Sequence, residues 1–204
     1  MIYYIVYFST KVLSWAYFPF TAYQTRNIPR QGAFILASNH MSNLDPMLLG
    51  ICSVRRINFM AKIELFKGFL GFLLTNLGSF PVKRGEADFG AMREALRRLK
   101  EGRVILIFVE GTRRIGNEPP KAQAGVGFLA IKSSVPIVPV YVQGTNKVMA
   151  PGTKFLKRGH VSATFGEPFY VLKELRDVKG IGPFDAPTYE EASQCILDKI
   201  YALA

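Results

Sequence analysis

Short apolar runs alternate with segments of helical spacing along most of the chain. Residues 33–37 (Ala-Phe-Ile-Leu-Ala) read as a buried strand, 46–52 as the start of a helix and 58–61 as a second short strand. Between Leu65 and Leu77, apolar residues fall at 65, 66, 69, 70, 73, 74 and 77, a helical stripe that Gly68 and Gly71 weaken. The stripe is shorter than the roughly 20 residues a bilayer-spanning helix needs. Residues 79–82 fit a strand. Residues 87–101 predict a helix with Phe89, Met92, Leu96 and Leu99 as its stripe and Gly102 just past its end. Residues 104–108 (Val-Ile-Leu-Ile-Phe) are the clearest strand in the chain. Residues 126–132 read as helix, 137–142 and 160–165 as strands, and 188–204 as a closing helix. Strands alternating with helices predict an α/β sandwich, a mostly parallel sheet flanked by helices. Ligands of such sheets gather beyond the carboxyl ends of the strands. The places to look are therefore the loops after Leu36 and after Phe108.

Residues 1–20 have a different pattern. At helical spacing Tyr3, Tyr7, Thr10, Lys11 and Ser14 share one face, and Ile2, Ile5, Val6, Val12, Leu13 and Ala16 the opposite one. No basic cluster precedes the apolar run, so it does not resemble a secretory signal. Lys11 in its middle would cost about 2.5–3.5 kcal/mol at a bilayer centre. Phe18-Pro19 ends the helix, because the residue before proline disfavours the α region. Residues 1–24 are expected to form an amphipathic membrane-associating segment, and 25–204 the α/β domain. The alternative is that the apolar face packs on the domain.

Charge sharpens that expectation. Of 204 residues, 26 are Lys or Arg and 15 Asp or Glu, a net charge of +11. Such a balance points to an anionic partner: nucleic acid, a phosphorylated substrate or an acidic lipid surface. A mean hydropathy of +0.15 is high for so basic a chain and tilts the reading towards a membrane surface. Two cysteines, Cys52 and Cys195, make no disulfide framework, which favours a reducing compartment and the cytoplasmic face of a membrane.

The first loop reads Ser38-Asn39-His40-Met41-Ser42-Asn43-Leu44-Asp45-Pro46. Imidazole can exist as a neutral base near pH 7, and a carboxylate on one ring nitrogen leaves the other free to take a proton. Asp45 can serve His40 so if the chain turns between them, since five residues fall about 140° apart on a continuous helix. Asp45-Pro46 also reads as a helix cap with proline at the first helical position, and the two roles can coexist. The bland reading of His40 is a core histidine bonded to a backbone carbonyl. The second loop reads Phe108-Val109-Glu110-Gly111-Thr112-Arg113-Arg114: its glycine permits close backbone approach, its threonine offers a hydroxyl, and Arg113 a planar fork for phosphate. Its plain alternative is a solvated turn. Lys83-Arg84, after the 79–82 run, would add positive charge to the same anion site or simply lie in solvent.

Together Asn39-His40-x-Ser42-x-x-Asp45 and Glu110-Gly111-Thr112-Arg113 resemble the glycerolipid acyltransferase family, whose best-known members are the 1-acylglycerol-3-phosphate (lysophosphatidate) acyltransferases. Residues 78–85 and 135–140 are similar to two weaker family blocks in the right order. Where the family usually has proline before the glutamate, this chain has Val109. The resemblance implies transfer of an acyl group from a thioester donor, acyl-CoA or acyl carrier protein, to the free hydroxyl of lysophosphatidate or another lysophospholipid, in phospholipid biosynthesis and with no other cofactor. It implies His40 as general base held by Asp45, with Lys83, Arg84, Glu110, Gly111, Thr112 and Arg113 at the acceptor's glycerol phosphate. The stripe residues Phe66, Phe69, Leu70, Leu73 and Leu74 could shelter an acyl chain, press into lipid, or pack in the core. Lys62 and Lys67 beside them would suit anionic headgroups.

Other classes find less in the sequence. There is no G-x-S-x-G elbow for a serine hydrolase and no P-loop. Gly125-x-Gly127-x-x-Ala130 follows prolines, not a strand, so it is a poor dinucleotide fingerprint. His40 and His160 make no ligand pair, and no metal is expected. A non-catalytic basic module binding nucleic acid or lipid is the rival from another class. Its densest cluster, Arg93, Arg97, Arg98, Lys100 and Arg103, reads as a solvated helix face beside Glu94 and Glu101, so no nucleic-acid partner is expected.

Overall fold

In the computed structural model, residues 2–83, 88–113, 119–150, 152–153, 155–180 and 186–204 are described. The strands are β1 (Phe20–Tyr23), β2 (Phe34–Ser38), β3 (Ile57–Lys62), β4 (Phe80–Val82), β5 (Val104–Phe108), β6 (Ile137–Gln143) and β7 (Val161–Phe165). The helices are α1 (Ile2–Tyr17), α2 (Asp45–Cys52), α3 (Gly68–Asn76), α4 (Phe89–Lys100), α5 (Ala124–Ser133), α6 (Thr145–Val148), α7 (Val171–Lys179) and α8 (Tyr189–Tyr201). The strands form one sheet in the order β1-β7-β6-β2-β5-β3-β4, parallel at every pairing except β6 with β7. This is the expected α/β sandwich. The strand β1, which the sequence reading placed in the N-terminal segment, belongs to the sheet and pairs with β7, with Phe20 opposite Val161. The expected boundary after residue 24 therefore falls beyond an edge strand of the α/β domain.

Alternation along the strands divides the core. Ile35, Ala37, Ile105 and Ile137 face a cluster completed by Ala95 and Leu99 of α4, Leu129 of α5, Leu175 of α7 and Ile196 of α8. Phe34, Leu36, Val104, Leu106, Val138 and Val140 face the other side, where Leu49 of α2 packs. The central strands are buried on both faces, which is why they read as continuous apolar runs. Asp88 caps α4, its Oδ1 accepting the Ala91 N–H at 2.9 Å, and Thr188 and Glu191 form a reciprocal capping box at the start of α8.

On α1, the face read as polar turns inward. Thr10 and Ser14 are buried, the Tyr7 hydroxyl donates to the Ile51 carbonyl at 3.3 Å, and the Arg56 guanidinium lies over the Tyr3 ring. Tyrosine rings bring apolar area while their hydroxyls reach backbone acceptors, so such a face can pack. The outward face carries Tyr4, Ile5, Phe8, Val12 and Tyr17, all more than half exposed. The face read as apolar is split: Ile2, Val6 and Leu13 are half-buried, Leu13 against the cluster of Phe18, Leu44 and Leu48, while Ile5, Val12 and Ala16 are exposed, as is Lys11 of the other face. The helix also touches α3, where Phe69 and Phe72 are exposed. Among the described residues no helix is long and apolar enough to cross a membrane.

Candidate active site

The central strands β2 and β5 lie side by side and in register, Ser38 opposite Phe108, so the loops that leave their carboxyl ends are neighbours. Asn39 fixes the first loop: its side-chain amide donates to the Val142 carbonyl at 2.8 Å and its carbonyl oxygen accepts the Val142 N–H at 2.7 Å. A side chain thus continues the ladder between β2 and β6 for one more rung. Ser42 is also structural, its hydroxyl donating to the Met149 carbonyl at 2.8 Å.

Between these anchors the chain turns and brings His40 onto Asp45. Imidazole Nδ1 lies 2.8 Å from Asp45 Oδ2, and the same oxygen accepts the N–H groups of Met41 at 2.7 Å and Ser42 at 2.8 Å. An oxygen that accepts two backbone N–H groups presents an acceptor to the ring. Nδ1 therefore carries the proton, which leaves the lone pair on Nε2. The backbone-carbonyl partner considered for His40 is not what holds it. Asp45 does not cap α2 with its side chain either; the N-cap residue is Leu44, and the carboxylate turns back into the preceding loop. Pro46 does stand in the first turn. Asp45 is fully buried, and its Oδ1 has no hydrogen-bond partner.

The second loop begins at Val109, whose N–H donates to the Ser38 carbonyl at 3.0 Å. The family's usual proline could not make this bond. Gly111 adopts φ +69°, and a Cβ there would come within 2.9 Å of Gln123 Cγ, so conformation and space both require glycine. Glu110 is nearly buried. Its Oε1 accepts the Tyr201 hydroxyl, while Oε2 has no partner. Arg113 likewise has a buried Nη1 without a partner, and Thr112 is exposed. Glu110, Gly111 and Thr112 line a cavity of about 910 Å³ together with Phe108, Gln123 and the exposed Lys83. Arg84 lies outside the described residues. His40 is one layer back, 5% exposed, and the Phe108 ring stacks on it with centroids 3.8 Å apart. Phe108 joins the imidazole to the cavity wall.

The remaining candidates separate from this centre. Phe66, Phe69, Leu70, Leu73 and Leu74 do not line the cavity; Phe69 and Leu70 are exposed, and the other three are half-buried. Gly127 is a packing residue, since a Cβ would meet the Tyr189 carbonyl of α8 at 2.0 Å. Burial pushes the Cys52 thiol up to about 12, so it is no thiolate nucleophile. In the basic cluster, Arg97 pairs with Glu94 and Glu101, Arg98 with Glu94, and Arg103 with Glu101. The arginines hold Glu94 down at about 2, chiefly through the Arg97 hydrogen bond.

A family model described as Acyltransferase matches residues 19–143, about three fifths of the chain and both loops. The chain belongs to the acyltransferase family. It is 31% identical over 150 residues to the 1-acyl-sn-glycerol-3-phosphate acyltransferase of Bacillus subtilis, covering 72% of each chain. It is 28% identical over 137 residues to human 1-acyl-sn-glycerol-3-phosphate acyltransferase beta, covering 63% of this chain and 48% of that one. The crystal structure of the 1-acyl-sn-glycerophosphate acyltransferase PlsC from Thermotoga maritima superposes with a TM-score of 0.76 at 23% identity, over 98% of this chain and 77% of that one, and shares its fold. The matched region of the acyltransferase stops before β7, α7 and α8. Sequence reading placed Phe108 at the head of the second loop but gave it no role beside His40. It also missed Gln123 and Tyr201, for which no local signal exists.

Proposed function

We propose that this acyltransferase moves a fatty acyl group from a thioester donor, acyl-CoA or acyl carrier protein, to the free hydroxyl of lysophosphatidate, giving phosphatidate. The observation that carries the proposal is the placement of the His40–Asp45 pair in register beside a loop holding a buried unpaired acceptor, Glu110 Oε2, and a buried unpaired donor, Arg113 Nη1. A buried polar atom without a partner costs roughly 1–3 kcal/mol, which a ligand carrying a hydroxyl and a phosphate would recover. His40 Nε2 takes the proton of the acceptor hydroxyl as its oxygen attacks the thioester carbonyl. A tetrahedral intermediate forms and collapses with cleavage of the C–S bond. The leaving sulfur takes the proton back from the imidazolium, so one ester and one thiol are produced and the base is restored. General-base assistance of this kind is worth about 10²–10⁴-fold. The phosphate is the partner for Arg113 and Lys83, and in its singly protonated form its P–OH is the donor for Glu110 Oε2, since the acceptor's one free hydroxyl donates to His40. Arg84 is proposed for the same phosphate.

The outward apolar face of α1 and the exposed Phe69 and Phe72 support a membrane-docked orientation, with Lys62 and Lys67 towards anionic headgroups at about 1 kcal/mol each. Residues 1–17 and α3 would then lie on the cytoplasmic face while the rest of the chain carries out transfer. The deciding experiment is donor-thiol release across a panel of lysolipids presented in anionic vesicles. Release with lysophosphatidate, and an acceptor KM raised in Arg113→Ala, are expected. Release only with lysolipids lacking a terminal phosphate would overturn the proposed acceptor.

A further inference from the structure

The C-terminal helix α8 lies outside the matched family region, yet it bonds the second loop at one point and meets the start of α5 and the cavity wall at two more. The Tyr201 hydroxyl donates to Glu110 Oε1 across 91 residues of sequence. The Ser193 hydroxyl, fully buried, donates to the Gln123 carbonyl at 2.9 Å and accepts the Gly127 N–H at 2.9 Å, tying α8 to the start of α5. Gln123 in turn donates its N–H to the Val109 carbonyl at 2.9 Å and packs against Gly111. Tyr189, at the other end of α8, lines the cavity. The last turn of the helix is thus wired to the loop by one hydroxyl, and its middle by a backbone relay.

We infer that Tyr201 is a positioning residue for the acceptor site: its hydroxyl occupies one oxygen of Glu110 and so reserves the other, Oε2, for the acceptor. The inference rests on the proposed reading of the second loop. A glutamate side chain has three rotatable bonds, and a nearly buried carboxylate with no fixed partner would have several orientations at the cavity wall. One charge-assisted hydrogen bond from a ring that is itself packed selects among them. The Tyr201 ring is held edge-on by Tyr141 of β6, with centroids 5.5 Å apart and planes at 67°. Its hydroxyl therefore comes from the sheet-supported side of α8. Among the described contacts none joins Tyr201 to His40, and on this reading it does not meet the donor thioester, so its removal should act on acceptor affinity and leave the chemistry of the donor alone.

Tyr201→Phe keeps the ring and removes the oxygen. The test measures kcat, acceptor KM and donor KM by thiol release for the wild type, Tyr201→Phe, Glu110→Gln and the double variant. Thermal unfolding of each is recorded alongside. Short-chain lysophosphatidate binding is also followed by calorimetry, so that the cycle closes even where Glu110→Gln transfers slowly. Tyr201→Phe should raise the acceptor KM and Kd about tenfold, as expected for a hydrogen bond to a charged group. Its donor KM should stay within about twofold and its thermal midpoint should fall by no more than about 5 °C. In the Glu110→Gln background the same change should alter acceptor affinity by less than about twofold, because the two residues act as one unit. Unchanged acceptor affinity in Tyr201→Phe, effects that multiply in the double variant, or a loss confined to the donor KM would each overturn the inference while leaving the acyltransferase reading intact. A wild type inert towards every lysolipid would instead sink that reading, and the inference with it.

Discussion

Asp45→Asn is the substitution in which the site's geometry makes the sharpest demand. One oxygen, Asp45 Oδ2, accepts from His40 Nδ1 at 2.8 Å and from the N–H groups of Met41 and Ser42 at 2.7 and 2.8 Å. An asparagine has one oxygen and must choose. With the amide oxygen kept at the Oδ2 position, the backbone bonds and the ring bond survive, but as neutral hydrogen bonds. With the amide turned, an NH₂ group faces the two backbone donors and the imidazole. The ring then pairs only by moving its proton to Nε2, the nitrogen the reaction needs unprotonated. Fixing the tautomer and stabilising the imidazolium is worth up to roughly 10⁴ in kcat. The expected loss is therefore about 10²–10⁴ in kcat with little change in acceptor KM, since Asp45 is buried away from the cavity. Weakening charge-assisted bonds inside the fold should cost about 1.5–3 kcal/mol, a fall of about 3–12 °C in Tm for a domain of this size. Single-turnover thiol release and a melting curve on the same preparation read both quantities. A folded Asp45→Asn enzyme with kcat within threefold of the wild type would refute the reasoning.

Val109→Pro would restore the family's common residue but remove the N–H that donates to the Ser38 carbonyl, so Tm should drop by several degrees; an unchanged melting curve would show that this rung is dispensable. Glu94 is held at about 2, below its ordinary 4.5, so its stabilisation is complete above about pH 4.5 and is lost as pH falls towards 2. On this solvated helix face the contribution is about 1 kcal/mol after screening. Melting curves of the wild type and Glu94→Gln should differ by a few degrees at pH 6 and converge as pH falls through 3 towards 2; a gap independent of pH would contradict the assignment. Replacing Phe8, Phe69 and Phe72 together by serine should weaken sedimentation with anionic vesicles by at least tenfold at unchanged Tm, because each ring is exposed in water and would contribute roughly 1.5–3 kcal/mol on burial in lipid. Undiminished vesicle binding would place the membrane contact elsewhere.

The parts of this fold that were legible in the sequence are those whose signal is local. Residues 104–108 are apolar on both faces because β5 is covered on both sides, and the reading matched its bounds. The strand β1 was missed as sheet because three half-buried residues and the exposed Tyr23 at an edge show no alternation, and their partner is some 140 residues away. Helix α7 went unread although Val171 and Leu175 mark its buried side, since only two turns separate Tyr170 from Gly180. On α1 the periodicity was read correctly, but the sequence alone does not say which face meets the domain. Tyr3, Tyr7, Thr10 and Ser14 turned inward with Ile2, Val6 and Leu13 half-buried beside them, and Tyr4, Ile5, Phe8 and Val12 were left out. In the site, His40 and the Glu110–Arg113 turn were visible because each follows the end of a strand, and Asp45 because it stands before Pro46 at a helix start. The stacking of Phe108 on His40 and the bond from Tyr201 to Glu110 depend on packing and had no pattern to show.

The central claim is that the His40 imidazole deprotonates the acceptor hydroxyl. It is tested most directly by the rate of donor-thiol release with saturating lysophosphatidate in His40→Ala, measured on protein whose melting curve shows it folded. The account predicts a fall of at least 10²-fold, down to the rate seen without acceptor. Release at the wild-type rate would contradict it.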